Sequence, residues 1–328
     1  MSEKFTSRNH YNPCFWTALW NEAYFAKFCS GQERDTHARR QSVYSLNLRA
    51  NRILETKVEA IHYHKDLGVA EITPESWKDF CVRRGLTERN GLPAQESELG
   101  SGLFLDFEAT LTGVETAAKY SCLMRAAQIG GLESLEHKGF LIAMLMIHAM
   151  RSYEFMSILI GEMDSAGVEK WEYFVELKRA WSNRKELMRA VVVPMLGEWT
   201  FWRSDNHVFP LCDSPVMMGR DSIMAVLSPR LLLEIKLDPN PRRDESLWRV
   251  KDEVPADTYA EFRRRSIRNT HKEIIFHDRA ALAEWQASDQ CKDRVAALAD
   301  PRRRQVCLWE GAERVKYGLN GFGRLPNG

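Results

Sequence analysis

Apolar positions recur along this chain with two different periods. Phe15, Leu19, Tyr24 and Phe28 fall on one face of a 3.6-residue repeat, which predicts a helix over 16–28. The stretch 41–48 (QSVYSLNL) alternates and predicts a strand, with a second strand over 57–63 (KVEAIHY). Pro74 introduces a helix over 76–82 that Gly85 closes. The polar, glycine-bearing stretch 88–102 reads as a loop. A long helical pattern over 107–128 stops at Gly130-Gly131. The next helix, 132–151, is apolar on every side across 140–147, the mark of a central helix packed on several faces. Patterns over 154–163, 170–181 and 184–191 continue a bundle. After Pro194 the character changes. Short strands are predicted at 199–202 and 207–209, then a turn at Cys212-Asp213-Ser214-Pro215 before Val216. Apolar runs at 223–227 and 231–235 flank Ser228-Pro229, and 260–287 reads as a last long helix or helix pair.

These elements predict one domain with an α/β part (1–100), a helical middle (105–193) and a small β-containing part (199–290). The expected class is mostly α with a minor β-sheet (α+β). Its helical core would surround the central helix 132–151, the most buried element of the chain.

Composition narrows the class. A chain of 328 residues with 44% hydrophobic content and ten tryptophans buries a large core and is not disordered. The net charge of +1 supplies no global field for nucleic acid or an anionic membrane. The longest apolar run, 139–150, falls short of the ~20 residues that span a bilayer, so no membrane partner is expected. The start, MSEKFTSRNH, lacks the apolar core of a signal peptide. Seven scattered cysteines without a CxxC pair point to a reducing cytoplasm rather than a disulfide framework or zinc knuckle.

The candidate chemistry starts at RNHYNPCFW. Pro13 presets its own φ and biases Asn12 toward an extended conformation, so the turn can aim His10 into a cleft as base, acid or ligand. The plain alternative is a histidine that anchors the first helix. Asp213 can cap a turn, or orient His10 or hold a metal. Arg151, one helical turn after His148, suits a carboxylate partner, a helix end or a phosphate. Glu108 and Glu115 share a helix face; a divalent metal is the cofactor such a pair would take, and a solvated face is the favoured reading. His62 and His64 alternate on the predicted strand, where an exposed polar face is favoured over a metal site. Dinucleotide, P-loop, GxSxG, HExxH and zinc-deaminase signatures are absent.

In order along the chain stand NHYNPCFWTALW, a helix ending IHAMR, then VFPLCDSPVMM, AVLSPRLLLEI and IRNTHKEII. This order resembles the bacterial and fungal family called domain of unknown function 4238. That family opens with a histidine-tyrosine-x-proline motif leading into a helix and carries a glutamine-x-x-arginine-like helix. A phenylalanine-rich strand then runs into aspartate-asparagine-proline, followed by a serine/threonine-proline turn and a late asparagine. The likeness spans about residues 9 to 285. Ser214 stands where the family has asparagine, and His148 where it has glutamine. The resemblance implies site positions rather than a reaction.

The catalytic set expected from these readings is His10, Asp213 and Arg151, with Tyr11, Asn12, Glu108, His148 and Asn269 as ligand-binding neighbours. Histidine, aspartate and arginine without a credible serine or cysteine nucleophile suit a phosphoester or phosphodiester. The first function reading is a nuclease-like hydrolase, a defence or toxin effector. The second is a non-catalytic module that binds a nucleotide, nucleic acid or protein in the same cleft. A purely structural motif is the third. Titration of denatured, unreduced protein is expected to count all seven thiols; a count of five or fewer from fresh protein overturns the reducing-compartment reading.

Overall fold

Two sheets, rather than a helical bundle, organise the described residues of the computed structural model. Those residues are 8–10, 12–31, 37–65, 69–84, 103–106, 122–153, 156–157, 171–172, 191–192, 194–205, 209–219, 221–237, 248–307 and 310. The chain begins with β1 (Arg8–His10), α1 (Cys14–Thr17), a 3-10 turn (Ala18–Trp20) and α2 (Glu22–Cys29). Next come β2 (Ser42–Asn47), β3 (Arg52–Lys57), β4 (Tyr63–Lys65), β5 (Val69–Ile72), α3 (Pro74–Arg84) and β6 (Leu103–Asp106). Among the described residues α4 (Leu123–Ile129) and α5 (Leu135–Met150) follow. A run of strands comes next: β7 (Glu198–Arg203), β8 (Leu211–Cys212), β9 (Val216–Met218), β10 (Ser222–Ser228), β11 (Leu231–Lys236) and β12 (Trp248–Lys251). The described chain then continues through α6 (Ala256–Asn269), β13 (Glu273–Phe276), α7 (Arg279–Ala287) and α8 (Asp289–Ala299).

The larger sheets have five strands in the order β12-β7-β11-β10-β9 and four in the order β3-β2-β13-β8, and β1-β4 and β5-β6 form two-stranded sheets. All neighbours are antiparallel except β12, which runs parallel to β7. Helices α4 and α5 pack against β10 and β9 of the first sheet, and α7 lies on β13 and β2 of the second. The expected mostly-α class is therefore corrected to an α+β mix. Its cause is local: β10 and most of β11 are buried at every position, so they carry continuous apolar runs in which a period of two is invisible. The central helix exists, but β10 is buried more uniformly, since Leu135 and Phe140 of α5 are exposed.

Three boundaries also move. The helix expected over 16–28 breaks at Asn21, whose extended backbone and side chain cap α2 by accepting the N–H of Tyr24. The strand expected over 57–63 is a 3-10 turn between β3 and β4, entering β4 through His62 at φ +53°. The helix expected over 260–287 contains β13, because Ile274 and Ile275 pair with β2 on one side and β8 on the other. By contrast, Gly130 ends α4 as its sequence requires, at φ +68°. Arg203 donates to the carbonyls of Ile129 and Gly130, and a Cβ on Gly130 would strike that guanidinium. Most of the patterns over 107–128, 154–163, 170–181 and 184–191, the loop 88–102 and most of the strand expected at 207–209 lie outside the described residues. Among the described residues no helix is long and apolar enough to cross a membrane.

Lys138 of α5 is fully buried, its Nζ 5.0 Å from the centre of the Trp199 ring. Burial pulls its ammonium down to about 8. A folded value below the unfolded one means that the charged ammonium costs stability near pH 7, a cost relieved as pH rises from about 8 toward the ordinary lysine value. Lys138→Met is expected to raise Tm more at pH 7 than at pH 10. An equal or larger gain at pH 10 contradicts this account of the site.

Candidate functional site at the junction of the two sheets

The turn Asp213-Ser214-Pro215 carries the chain from β8 of the four-stranded sheet into β9 of the five-stranded sheet. Asp213 is completely buried there. Its carboxylate accepts the backbone N–H of His271, at 3.2 and 3.0 Å to its two oxygens, and that of Lys272 at 2.7 Å. These residues lie between the end of α6 at Asn269 and the start of β13 at Glu273, outside both ladders. A buried carboxylate is tolerable where backbone donors meet it, and here the need is mutual. The carbonyl of Lys272 in turn accepts the N–H of Leu48, which places Arg49 beside it.

The N-terminal turn meets the same point. Asn12, buried, donates from Nδ2 to the carbonyl of Cys212 at 3.0 Å and to Nδ1 of His62 at 2.9 Å. The backbone N–H of His62 donates to Glu273 Oε2 at 3.2 Å. Burial pushes the Glu273 carboxyl up, against the pull of that bond and of the Lys272 charge. Two indoles fasten the helix that follows: Trp16 Nε1 donates to the carbonyl of Leu227 and Trp20 Nε1 to that of Phe209.

The end of α5 supplies the third side. His148 meets the Trp16 ring edge-on, with ring centres 5.2 Å apart. Arg151 is buried, and its backbone N–H donates to the carbonyls of Ile147 and His148. Two residues on, Tyr153 accepts from Arg49 Nη2 at 3.0 Å, and Lys272 Nζ stands 4.6 Å from the centre of its ring. The His271 ring lies 6.1 Å from that of Tyr153. Behind it, the buried Arg294 donates from Nε to the carbonyl of Thr270 at 2.9 Å. Arg294 Nη2 stands 3.0 Å from His271 Nε2. The same Nη2 stands 3.5 Å from Nδ1, so the guanidinium lies against the His271 ring.

Asn12, Asp213, His148, Arg151 and Asn269 are all buried, on segments that meet at the junction. The His10 backbone pairs with Tyr63 between β1 and β4, but its side chain, Tyr11 and Glu108 lie outside the described residues, as does Glu115. Asp213 is engaged by backbone N–H groups and so acts as a clamp on the 271–272 segment. His62 is a correction: it is buried in the turn before β4, not exposed on a strand with His64. Arg49, Tyr153, His271, Lys272 and Arg294 were missed. The only sequence signal for two of them was the Thr270-His271-Lys272 run after Asn269, hidden inside an apparent helix. Among the described residues no group of three or more His, Cys, Asp or Glu side chains is placed to share a metal ion. Comparison with protein families, curated proteins and solved structures gives no match to this chain.

Asp213→Ala leaves the two N–H groups without their acceptor inside the protein. It is expected to cost about 2–6 kcal/mol, since each of the two orphaned donors costs about 1–3 kcal/mol, and to lower Tm by several degrees. A loss under roughly 0.5 kcal/mol, the range of ordinary surface substitutions, means that Asp213 does not hold the junction.

Proposed function

We propose that the junction binds a phosphate-bearing ligand, a nucleotide or nucleic acid, as a cytoplasmic protein allied to domain of unknown function 4238. The observation that carries this reading is the gathering of Arg49 and Lys272 on Tyr153, over a floor fixed by Asp213. Cations positioned by buried partners recognise phosphate without a metal or a glycine-rich loop, and arginine's fork matches two phosphate oxygens at once. Binding ranks above catalysis because the Asp213 oxygens already accept backbone N–H groups and the His271 Nε2 faces Arg294. Neither group stands ready to take a proton from a nucleophile.

One feature favours a second reading, phosphoester hydrolysis. Asn12 ties the strand bearing His10 to the carbonyl next to Asp213, so the N-terminal motif and the aspartate turn are neighbours. Screening nucleotides and single-stranded nucleic acids by thermal shift, with and without divalent metal, separates the readings. Stabilisation of the folded protein by a nucleotide or nucleic acid is expected, and Lys272→Gln should weaken it. Stabilisation by none of these ligands overturns the binding reading, and turnover lost in His10→Ala with Tm unchanged replaces it with the hydrolase.

A further inference from the structure

We propose that β3 is a docking edge for a second copy of this chain, the two β3 strands pairing antiparallel across a two-fold axis. β3 ends the four-stranded sheet and pairs with β2 over all six of its residues without a bulge. Among the described residues no strand lies on its other side. Arg52, Leu54, Glu55 and Lys57 are exposed, Leu54 at 45%. The neighbouring backbone bonds fix which way its groups point. Leu48 donates its N–H to the Lys272 carbonyl on the β13 side of β2, and Val58 donates back to the Gln41 carbonyl. Backbone groups alternate in direction along a strand, so those of residues 52, 54 and 56 meet β2 and those of Ile53, Glu55 and Lys57 point outward. Unpaired groups on a regular, proline-free edge are a template for another strand.

Charges at an edge ordinarily oppose such pairing. Here their order selects one register. Residues directly opposite in an antiparallel pair share the direction of their backbone groups. Glu55 of one copy therefore meets only Ile53, Glu55 or Lys57 of the other β3. Against Ile53 its carboxylate faces an apolar side chain, and against Glu55 a like charge. Against Lys57 it faces an ammonium, and the two-fold axis makes that pair twice, with Thr56 opposite Thr56 on the axis. Opposite charges and paired threonines across strands are both favourable. Glu55 has no ion-pair partner among the described residues, and the Lys57 ammonium gives one of its three N–H donors to the Arg40 carbonyl at 3.0 Å. β12, the edge of the five-stranded sheet, lacks this complementarity. Its exposed Arg249 and Lys251 stand two residues apart with the same charge, so the corresponding pairing sets cation against cation.

Sedimentation velocity of the whole protein over a concentration series tests this. A weak monomer–dimer equilibrium is expected, because one strand pair buries less than the roughly 1,200 Å² of a standard interface. Glu55→Lys and Lys57→Glu, both at exposed positions, each turn two attractive pairs into repulsive ones and are expected to weaken dimerisation about tenfold. The double variant Glu55→Lys/Lys57→Glu restores both attractions with their signs exchanged and is expected to dimerise like the parent. A protein that stays monomeric at every concentration overturns the edge pairing. A dimer indifferent to the single substitutions uses another surface, and a double variant no better than the single ones denies the Glu55–Lys57 register. Either result overturns the proposal as well.

Discussion

A buried carboxylate facing two backbone N–H groups holds this protein's two larger sheets in register with β13. Asp213 sits where the chain leaves β8 for β9, and its oxygens take the N–H groups of His271 and Lys272 just before β13 enters between β2 and β8. The aspartate would be costly to bury alone, and the two N–H groups would be costly to leave unbonded. Each resolves the other's cost. The link joins residues 58 and 59 positions apart, so it forms only when both sheets are in place.

What gathers around that link follows from it. Fixing residues 271 and 272 directs the His271 ring toward Tyr153 and Arg294, and brings the Lys272 ammonium over Tyr153. The Lys272 carbonyl holds Leu48, and with it Arg49. Asn12 reaches the carbonyl of Cys212 from the other side, and Trp16 and Trp20 secure the short helical segment behind it on Leu227 and Phe209. The polar groups of the junction thus come from distant parts of the chain, and Asn12, Asp213 and Arg294 are each fastened to a backbone atom. Sites built this way are rigid, because backbone partners cannot change rotamer. Arg49, exposed, and Lys272, half-buried, stand over this fixed floor on the Tyr153 ring.

Several features were legible in the sequence because they depend on local physics. Gly130 stops α4 since a left-handed residue is needed there, and Pro74 opens α3. The apolar runs on either side of Ser228-Pro229 became the hairpin β10–β11. The likeness of quoted motifs picked out Asn12, Asp213 and Asn269, all of which are buried at or beside the junction. Polar residues in turns next to strands carry that signal even without a partner in view.

The sequence by itself thus determined the helix stop at Gly130, the helix start at Pro74 and the buried apolar runs on either side of Ser228-Pro229. Only the tertiary structure decided that the class is α+β, since a strand buried on both faces has no alternation to read and Ile274-Ile275 looks like helix until β2 and β8 flank it. It also decided the roles within the site. Whether Asp213 takes a proton or a backbone N–H depends on what residues 271 and 272 present to it, and local periodicity holds no information on such a pairing. His62 likewise has an exposed strand's pattern but is buried, because Asn12, fifty residues earlier, closes over it. Arg49 and Lys272 read as ordinary surface charges until the Leu48–Lys272 bond and the Tyr153 ring bring them together.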